Sequence, residues 1–386
     1  MAPIFCEVGV LCMEIRYVSP CLLGMETFIA GELRGMGASN VQAENGRVLF
    51  SGDETMLARA NLCSRYSERI QILIGSFRAV SFEELFQGVK ALPWEQWIGE
   101  KDAFPVKGYS INSTLFSVSD CQSIIKKAVV ERLKQKYKIP WFEESGPVYQ
   151  IQFSIMKDYV SLLIDTSGTA LHKRGYRLSA NEAPLKETLA AAICYLARLY
   201  DDSTVYDPFC GSGTLLIESV LLAHNIAPGL RRGFSAEQWR NIPADVWTKE
   251  RERAQDLIKK DTAFLAVGSD IDERALELTQ INAKRAGVAS KIKLHRADIS
   301  DFHPETERGV VLCNPPYGER MLDMKEAQLI YEKMGEVFVR RKGYSYTIIS
   351  PDENFEALFG RPADKRRKLY NGMKKCQIFM YYKTRP

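Results

Sequence analysis

The sequence has few residues that could bind a metal ion or form a disulfide framework. Its nine cysteines are an odd number with no C-x-x-C pair, and its four histidines are scattered along the chain. Disulfide-stapled domains and zinc sites need paired or closely spaced ligands. We therefore expect no bound metal and a protein of the reducing cytoplasm.

Long apolar stretches and a strong charge imbalance are also missing. No apolar run approaches the ~20 residues that span a bilayer. Residues 1–17 lack a basic lead segment, so we expect neither a membrane span nor a secretion signal. The 52 basic and 48 acidic residues leave a formal charge of +4, which does not indicate a nucleic-acid partner without local clusters. The 386 residues, 46 % of them apolar, are typical of a globular protein with about two or three domains.

The order of predicted elements divides the chain into three units and a connector. Residues 1–68 and 69–165 each carry the mixed helix and strand pattern of a small α+β unit. A polar connector follows over 166–183. Residues 184–386 then alternate strands with helices, which predicts an α/β fold with a doubly wound parallel sheet.

Helical spacing and turn residues predict the main elements. Apolar residues recur at helical intervals over Glu26–Met36, Thr55–Glu68 and Ser119–Tyr137, and a strand is expected over Ser110–Thr114. The third helix carries a basic face, which we interpret as a solvated surface. In the last unit a helix is expected over Pro184–Tyr200, since proline suits the first helical position.

A glycine-containing turn joins a short strand to a helix. Its two glycines permit positive φ and let main-chain N–H groups approach a ligand at the start of the helix. The turn lacks the G-x-G-x-x-G spacing of dinucleotide folds and the Gly-Lys-Ser/Thr of a phosphate loop, so NAD and ATP are disfavoured. In order, its residues are Asp207, Pro208, Phe209, Cys210, Gly211, Ser212, Gly213 and Thr214.

Acidic residues follow the next two predicted strands. Asp270 is placed to accept hydrogen bonds from two ribose hydroxyls, as in other doubly wound nucleotide sites. Asp272 is as well explained as a cap of the following helix. Asp298, after Ala297, could accept the exocyclic amine of an adenine.

The sequence Asn314-Pro315-Pro316-Tyr317 follows a further strand and is the most specific of these motifs. The prolines stiffen the loop and lack N–H donors, so their carbonyls are left to accept. The Asn314 amide oxygen and the Pro315 carbonyl could together hold the two hydrogens of an exocyclic amine. Tyr317 offers a flat face for stacking an extruded base.

In this order the motifs resemble those of class I S-adenosylmethionine-dependent amino-methyltransferases. The stretches 207–218, 227–230, 314–320 and 369–372 are similar to a narrower family, the bacterial THUMP-domain 23S rRNA guanine-N2-methyltransferases, often catalogued as N6-adenine-specific DNA methylases. Residues 22–26 resemble the start of that family's ferredoxin-like segment, so the similarity covers nearly the whole chain.

The resemblance implies a class I, Rossmann-like methyltransferase domain over 184–386, preceded by a ferredoxin-like segment over 1–68 and a THUMP RNA-binding domain over 69–165. It also implies S-adenosylmethionine as cofactor, S-adenosylhomocysteine as product, and RNA, namely 23S rRNA or a large-subunit precursor, as partner. The catalytic residues would be Asn314, Pro315, Pro316 and Tyr317. The cofactor contacts would come from Asn181, Ala183, Pro184, Leu185, Lys186, Asp207, Pro208, Phe209, Cys210, Gly211, Gly213, Thr214, Asp270, Ile271, Ala297, Asp298 and Asn314.

The sequence leaves alternative functions and the roles of two segments undecided. The same Asn-Pro-Pro-Tyr element serves DNA adenine N6 methylation, and a tRNA guanine-N2 methyltransferase or a non-catalytic RNA-binding assembly factor are further alternatives. The long insertion at 224–260 has no assigned role. The basic carboxyl end, 361–386, predicts a β-hairpin turning at Asn371-Gly372 that is either solvated or in contact with phosphates.

Overall fold

The computed structural model describes residues 14–177, 185–317, 324–371 and 374–383. Within these ranges the strands form two seven-stranded sheets. No helix in the described ranges is both long enough and apolar enough to cross a membrane.

The first sheet has the order β2-β3-β1-β4-β7-β6-β5 and holds the amino-terminal half of the chain together. Its pairs are antiparallel except β5 with β6, which run parallel. The two predicted α+β units therefore share one continuous sheet, joined where β4 pairs with β1 on one side and β7 on the other. The elements are β1 Ile15–Pro20, α1 Glu26–Gly35, β2 Ser39–Glu44, β3 Arg47–Gly52, α2 Glu54–Cys63, β4 Gln71–Arg78, α3 Phe82–Lys90, β5 Val106–Ile111, α4 Val118–Tyr137, β6 Gln150–Met156 and β7 Tyr159–Asp165.

The second sheet has the order β10-β9-β8-β11-β12-β14-β13. Strands β10, β9, β8, β11 and β12 are parallel, and β14 and β13 add an antiparallel edge. From β8 the chain proceeds outward through β9 to β10, then returns to build β11 and β12 on the other side, so the strand order reverses between β8 and β11. The elements are α5 Glu187–Leu196, β8 Thr204–Asp207, α6 Thr214–Ala223, α7 Ala244–Asp256, β9 Leu265–Asp270, α8 Glu273–Ala286, β10 Ile292–Arg296, β11 Gly309–Cys313, α9 Met324–Val337, β12 Tyr344–Ser350, α10 Phe355–Leu358, β13 Lys365–Asn371 and β14 Lys374–Tyr381.

Two helices and one strand begin or end at residues other than those predicted from the sequence. Helix α2 ends at Cys63 rather than Glu68, because Ser64 turns to extended backbone and its hydroxyl donates to Glu32 at 2.7 Å. Strand β5 lies over 106–111 rather than 110–114, because it pairs in register with β6 and Asn112 then takes a φ of 51°. Helix α5 spans 187–196 rather than 184–200; Pro184 lies outside the described residues. The predicted domain boundaries stay a prediction.

The insertion at 224–260 connects the two sheets. The Arg59 guanidinium on α2 donates to both carboxylate oxygens of Glu250 on α7, at 2.9 and 2.7 Å. The Trp239 ring is buried and stacks on Tyr149, just before β6, with 4.3 Å between ring centroids. Gly229 donates its N–H to the carbonyl of Leu62 at 2.8 Å. The insertion therefore fixes the position of the carboxyl-terminal half relative to the amino-terminal half.

The connector after β7 is also packed rather than extended. The Arg232 guanidinium of the insertion donates to the carbonyls of Ala170 and Lys173 at 2.7 and 2.9 Å. Arg174 is buried and its guanidinium lies 3.7 Å from the Glu218 carboxylate on α6. Burial raises the pKa of Glu218.

Candidate active site

The reversal between β8 and β11 places the predicted motifs at one edge of the second sheet. Ligands of open α/β sheets bind in the crevice beyond the carboxyl ends of the strands, where the strand order reverses. Asp207 ends β8 and Asp270 ends β9, while Asn314 directly follows β11. Because these strands are parallel, their carboxyl ends meet at this edge, together with Asp298 beyond the end of β10.

The turn from β8 to α6 is held by both of its neighbours. Gly211 and Gly213 have φ of 53° and 77°, a left-handed backbone conformation that glycine adopts at no steric cost. The Gly211 N–H donates to the Asp270 carboxylate at 3.0 Å. From α8, the Thr279 hydroxyl donates to the Gly211 carbonyl at 2.7 Å and the Asn282 amide donates to the Ser212 carbonyl at 3.0 Å. The main chain of the turn is therefore fixed before any ligand binds.

Asp270 is half-buried and organises the site from β9. One of its oxygens accepts the Gly211 N–H and the other accepts the Asp272 N–H, both at 3.0 Å. Each oxygen of a carboxylate can accept a second hydrogen bond, so both can still bind hydroxyl groups. Asp272 accepts the Arg274 N–H at 2.9 Å as the N-cap of α8, which confirms the capping alternative for that residue.

Asp207 is 2 % exposed. Its pKa is raised to about 8, chiefly by burial; the Phe209 N–H, which donates to the carboxylate at 3.1 Å, opposes this rise, and the nearby negative charge of Asp270 adds to it. The carboxyl group is thus ready to ionise when a cation approaches. Pro208 beside it is buried and Phe209 half-buried.

Cys210 is a packing residue in this turn. Its side chain is buried and its N–H donates to the carbonyl of Ser269 at 3.1 Å. Burial raises the pKa of its thiol and also that of Cys313 at the end of β11. Thiols with raised pKa values are poor nucleophiles.

The rim of the crevice carries Ile271, Ala297 and Asp298. The Ile271 side chain is 61 % exposed. Asp298 is exposed and accepts the backbone N–H and the hydroxyl of Ser300 at 2.8 and 2.5 Å, and these bonds lower its pKa. Ala297 donates its N–H to the Asp270 carbonyl at 3.2 Å, which ties the rim to β9.

Asn314 has a buried amide oxygen that accepts no hydrogen bond from any residue in the described part of the chain. A buried acceptor without a donor is costly, so such a group in a crevice indicates a ligand donor. Pro315 next to it is buried, while Pro316 and Tyr317 are half-buried.

The predicted segment before α5 is described only in part. Leu185 is buried, and the Lys186 ammonium pairs with Glu68 at 3.1 Å, so its charge is directed to the amino-terminal half. Asn181, Ala183 and Pro184 lie outside the described residues.

Sequence reasoning missed three side chains that position the site. Thr279 and Asn282 lie three residues apart on α8 and face the glycine turn, a spacing that could have been noticed once α8 was placed beside β8. The Arg177 guanidinium donates to the Thr214 hydroxyl at 2.6 Å and to the Leu185 carbonyl at 3.2 Å. Arg177 lies outside the motifs, and no pattern in the sequence around it indicates this role.

The described residues fit a nucleoside cofactor with a cationic amino-acid part. They offer main-chain N–H groups in a glycine turn, a carboxylate with free acceptor sites, an exposed apolar rim and a buried carboxyl that can ionise. They do not offer a group of three or more His, Cys, Asp or Glu that could hold a metal, within the ranges described.

This fold and site define a class I methyltransferase-type α/β domain. Matches to known families agree along the chain: an RlmL ferredoxin-like domain over 16–71, a THUMP domain over 79–165, and an RMKL-like methyltransferase domain over 174–379. The chain belongs to the RMKL-like family of S-adenosylmethionine-dependent methyltransferases. The predicted family, order of domains and cofactor are thereby confirmed.

Three similar proteins illustrate the relationship. "Putative RNA methyltransferase YpsC" of Bacillus subtilis is 42 % identical over 367 residues, 94 % of this chain and 95 % of that protein. The chain in "Crystal structure of SMU.472, a putative methyltransferase complexed with SAH" is 40 % identical, superposes with a TM-score of 0.92, and the match covers 97 % of this chain and 99 % of that one. "Ribosomal RNA large subunit methyltransferase K/L" of Methylococcus capsulatus is 33 % identical over 93 % of this chain, which spans 50 % of that longer protein.

Proposed function

We propose that the protein is an S-adenosylmethionine-dependent RNA methyltransferase that methylates the exocyclic N2 amine of a guanine in 23S rRNA. The observation that carries this proposal is the buried amide oxygen of Asn314, without a donor in the described chain, beside the carboxyl end of β8. The THUMP match and the names of the relatives support RNA, and the name of the K/L relative supports large-subunit rRNA.

The residues of the glycine turn and its neighbours would hold the cofactor. Asp207, Phe209 and the N–H groups near Gly211 would bind the methionine part, where an ionised Asp207 would face its ammonium group. Asp270 would accept the ribose hydroxyls. The rim would hold the adenine, with Ile271 covering the ring, Ala297 beside it and Asp298 accepting its amine.

The chain's part in the reaction is to orient and polarise the target amine. When bound, the cofactor supplies a methyl group on a sulfonium, a good electrophile, so alignment accounts for much of the rate. The lone pair of a base amine is conjugated with its ring and is a poor nucleophile. Acceptors at Asn314 and the Pro315 carbonyl would bind both N–H bonds, turn the lone pair toward the methyl group, and stabilise the positive charge that develops on nitrogen.

The base must leave its stack to reach these acceptors. Tyr317 would stack on the extruded base, and Pro315 and Pro316 would keep the loop from adapting to other shapes. Because unpaired RNA loops present unstacked bases at low cost, a loop or an unfolded rRNA segment is the expected target.

Methyl transfer from isotope-labelled S-adenosylmethionine to 23S rRNA, tRNA and duplex DNA tests the proposal. We expect label in 23S rRNA, recovered as N2-methylguanosine after digestion. Label confined to DNA as N6-methyladenine, or to tRNA, would contradict it. No binding of the cofactor in a titration would instead favour a non-catalytic assembly factor.

Asn314→Ala tests the assigned catalytic role. We expect turnover to fall about 10²–10³-fold, the usual loss for one preorganised hydrogen-bonding group, with the affinity for S-adenosylhomocysteine nearly unchanged. Asn354→Ala, at an exposed asparagine outside the crevice, serves as the control. Equal turnover of the Asn314 variant and the wild type would remove Asn314 from the mechanism.

A further inference from the structure

Glu68 lies between α2 and β4 in the amino-terminal half, and its carboxylate is bound by side chains from beyond β7. It accepts the Lys186 ammonium at 3.1 Å and the Thr188 hydroxyl at 2.8 Å, both at the start of α5, and contacts Nδ1 of His172 in the connector at 3.0 Å. Although burial opposes ionisation, the hydrogen bond to His172 and the charge of Lys186 lower the pKa of Glu68 to about 2. The carboxylate is therefore ionised at neutral pH.

The main chain of Glu68 is held on both sides. Its N–H donates to the carbonyl of Pro20, at the end of β1, at 3.1 Å, and its carbonyl accepts the Leu171 N–H at 2.8 Å. These bonds tie Glu68 to the first sheet and to the connector at once. A carboxylate on a backbone fixed in this way holds its partners in one place rather than following them.

Helix α5 begins without a side-chain cap, since Lys186 occupies the N-cap position and makes no cap hydrogen bond. The first N–H groups of a helix have no acceptor within the helix, so its start needs contacts from elsewhere. The Lys186 ammonium and the buried Thr188 side chain both bind Glu68. The place at which α5 begins is therefore set in part by a residue of the amino-terminal half.

Arg177 connects the same segment to the glycine turn. Its guanidinium donates to the carbonyl of Leu185 at 3.2 Å and to the hydroxyl of Thr214 at 2.6 Å. Leu185 directly precedes Lys186, and Thr214 is the turn residue at which α6 begins. A continuous series of contacts therefore runs from Glu68, through the start of α5 and Arg177, to the turn that would hold the methionine part of the cofactor.

A different ion pair between the two halves ends away from the site. Arg59 on α2 binds Glu250 on α7, and α7 contributes none of the residues that we propose to hold the cofactor. Loss of this pair removes a contact between the halves while the series from Glu68 to Thr214 stays in place. Comparing the two pairs therefore separates an effect on the cofactor site from a general loss of stability.

We propose that Glu68 is a positioning residue for the cofactor, which holds the start of α5 and, through Arg177, the glycine turn in the arrangement that binds S-adenosylmethionine. The affinity for the cofactor then depends on the amino-terminal half as well as on the domain that contains the site. The inference rests on the proposed placement of the methionine part at the glycine turn, but not on the nucleic acid that is methylated.

Isothermal titration of the full-length protein with S-adenosylhomocysteine tests the inference. Glu68→Ala should weaken binding about 5- to 30-fold, the range for coupling carried by packed side chains. Arg59→Ala is the matched control: it should be less stable in denaturant unfolding but bind like the wild type. Thr188→Val removes only the hydroxyl that donates to Glu68 and should also weaken binding, which keeps the test decisive where Glu68→Ala does not fold.

The double variant of Glu68→Ala with Thr188→Val should lose no more affinity than Glu68→Ala alone, because both changes act through one contact. Additive losses would overturn the inference. So would an unchanged affinity of Glu68→Ala, or equal losses in Glu68→Ala and Arg59→Ala, which would mean that affinity only follows stability. The titration needs no RNA, so failure of guanine-N2 methylation leaves its result intact. An unchanged affinity of Glu68→Ala likewise leaves the proposed function intact.

Discussion

Replacing Asp207 with asparagine tests whether the site holds a protonated carboxyl group before the cofactor binds. The side chain is 2 % exposed, and burial raises its pKa to about 8. Asparagine keeps an oxygen that can accept the Phe209 N–H, now at 3.1 Å from the carboxyl, but it cannot ionise. The difference in stability between the two proteins therefore isolates the ionisation of this one group.

The expected size follows from the pKa. The pKa rises from 3.8 to about 8, and a change of one in pKa corresponds to about 1.4 kcal/mol, so ionising the buried carboxyl costs the folded state on the order of 6 kcal/mol. Because the folded state holds this proton more tightly than the unfolded state, the stabilisation is fully present below about pH 4 and is lost as the pH rises to about 8. The variant has no such loss.

Denaturant unfolding of both proteins without cofactor at several pH values between 5 and 8 measures this difference. We expect the free energy of unfolding of Asp207→Asn, relative to the wild type, to rise by about 1 kcal/mol per pH unit across that range. Asp298→Asn is the control, because Asp298 is exposed and its pKa is lowered, so its difference should stay flat over the same range. Parallel curves for Asp207→Asn and the wild type would refute the reasoning, since they would mean that Asp207 is already ionised.

Two further substitutions test the packing that positions the site. Arg59→Ala leaves the buried Glu250 carboxylate without its bidentate partner. We expect denaturant unfolding to show a free energy of unfolding lower by about 3 kcal/mol. A decrease below about 0.5 kcal/mol would show that the insertion does not depend on this pair. Gly213→Ala would place a Cβ 2.6 Å from Thr279 at a φ of 77°, whereas Gly360→Ala has nearly the same φ, 79°, with no atom within 4 Å. Isothermal titration should therefore find weaker S-adenosylhomocysteine binding only for Gly213→Ala, and equal affinities would contradict the contact.

The catalytic half was largely predictable because its signals are local. Helices α6 and α8 each begin at a signal that the sequence shows, the glycine turn before Thr214 and the cap Asp272 before Glu273. The order of Asp207, Asp270, Asp298 and Asn314 after successive strands also sufficed to place them at one sheet edge, because parallel strands present their carboxyl ends together.

The features that were missed depend on contacts between distant residues. The position of β5 is set by pairing with β6 about 45 residues later, which no local pattern encodes. The role of the insertion at 224–260 became visible only from its partners in the other half, such as Arg59 and Tyr149. Likewise, the raised pKa of Asp207 arises from burial, a property of the assembled core.

The continuous amino-terminal sheet has a consequence for how this region can be cut or exchanged. Strand β4, over 71–78, hydrogen-bonds to β1 on one side and β7 on the other. Separating the ferredoxin-like and THUMP parts would therefore leave a row of unpaired backbone groups on at least one fragment, and exposed edges of this kind promote aggregation. Fusion to another catalytic domain should therefore give a folded protein only when the ferredoxin-like and THUMP parts are transferred together.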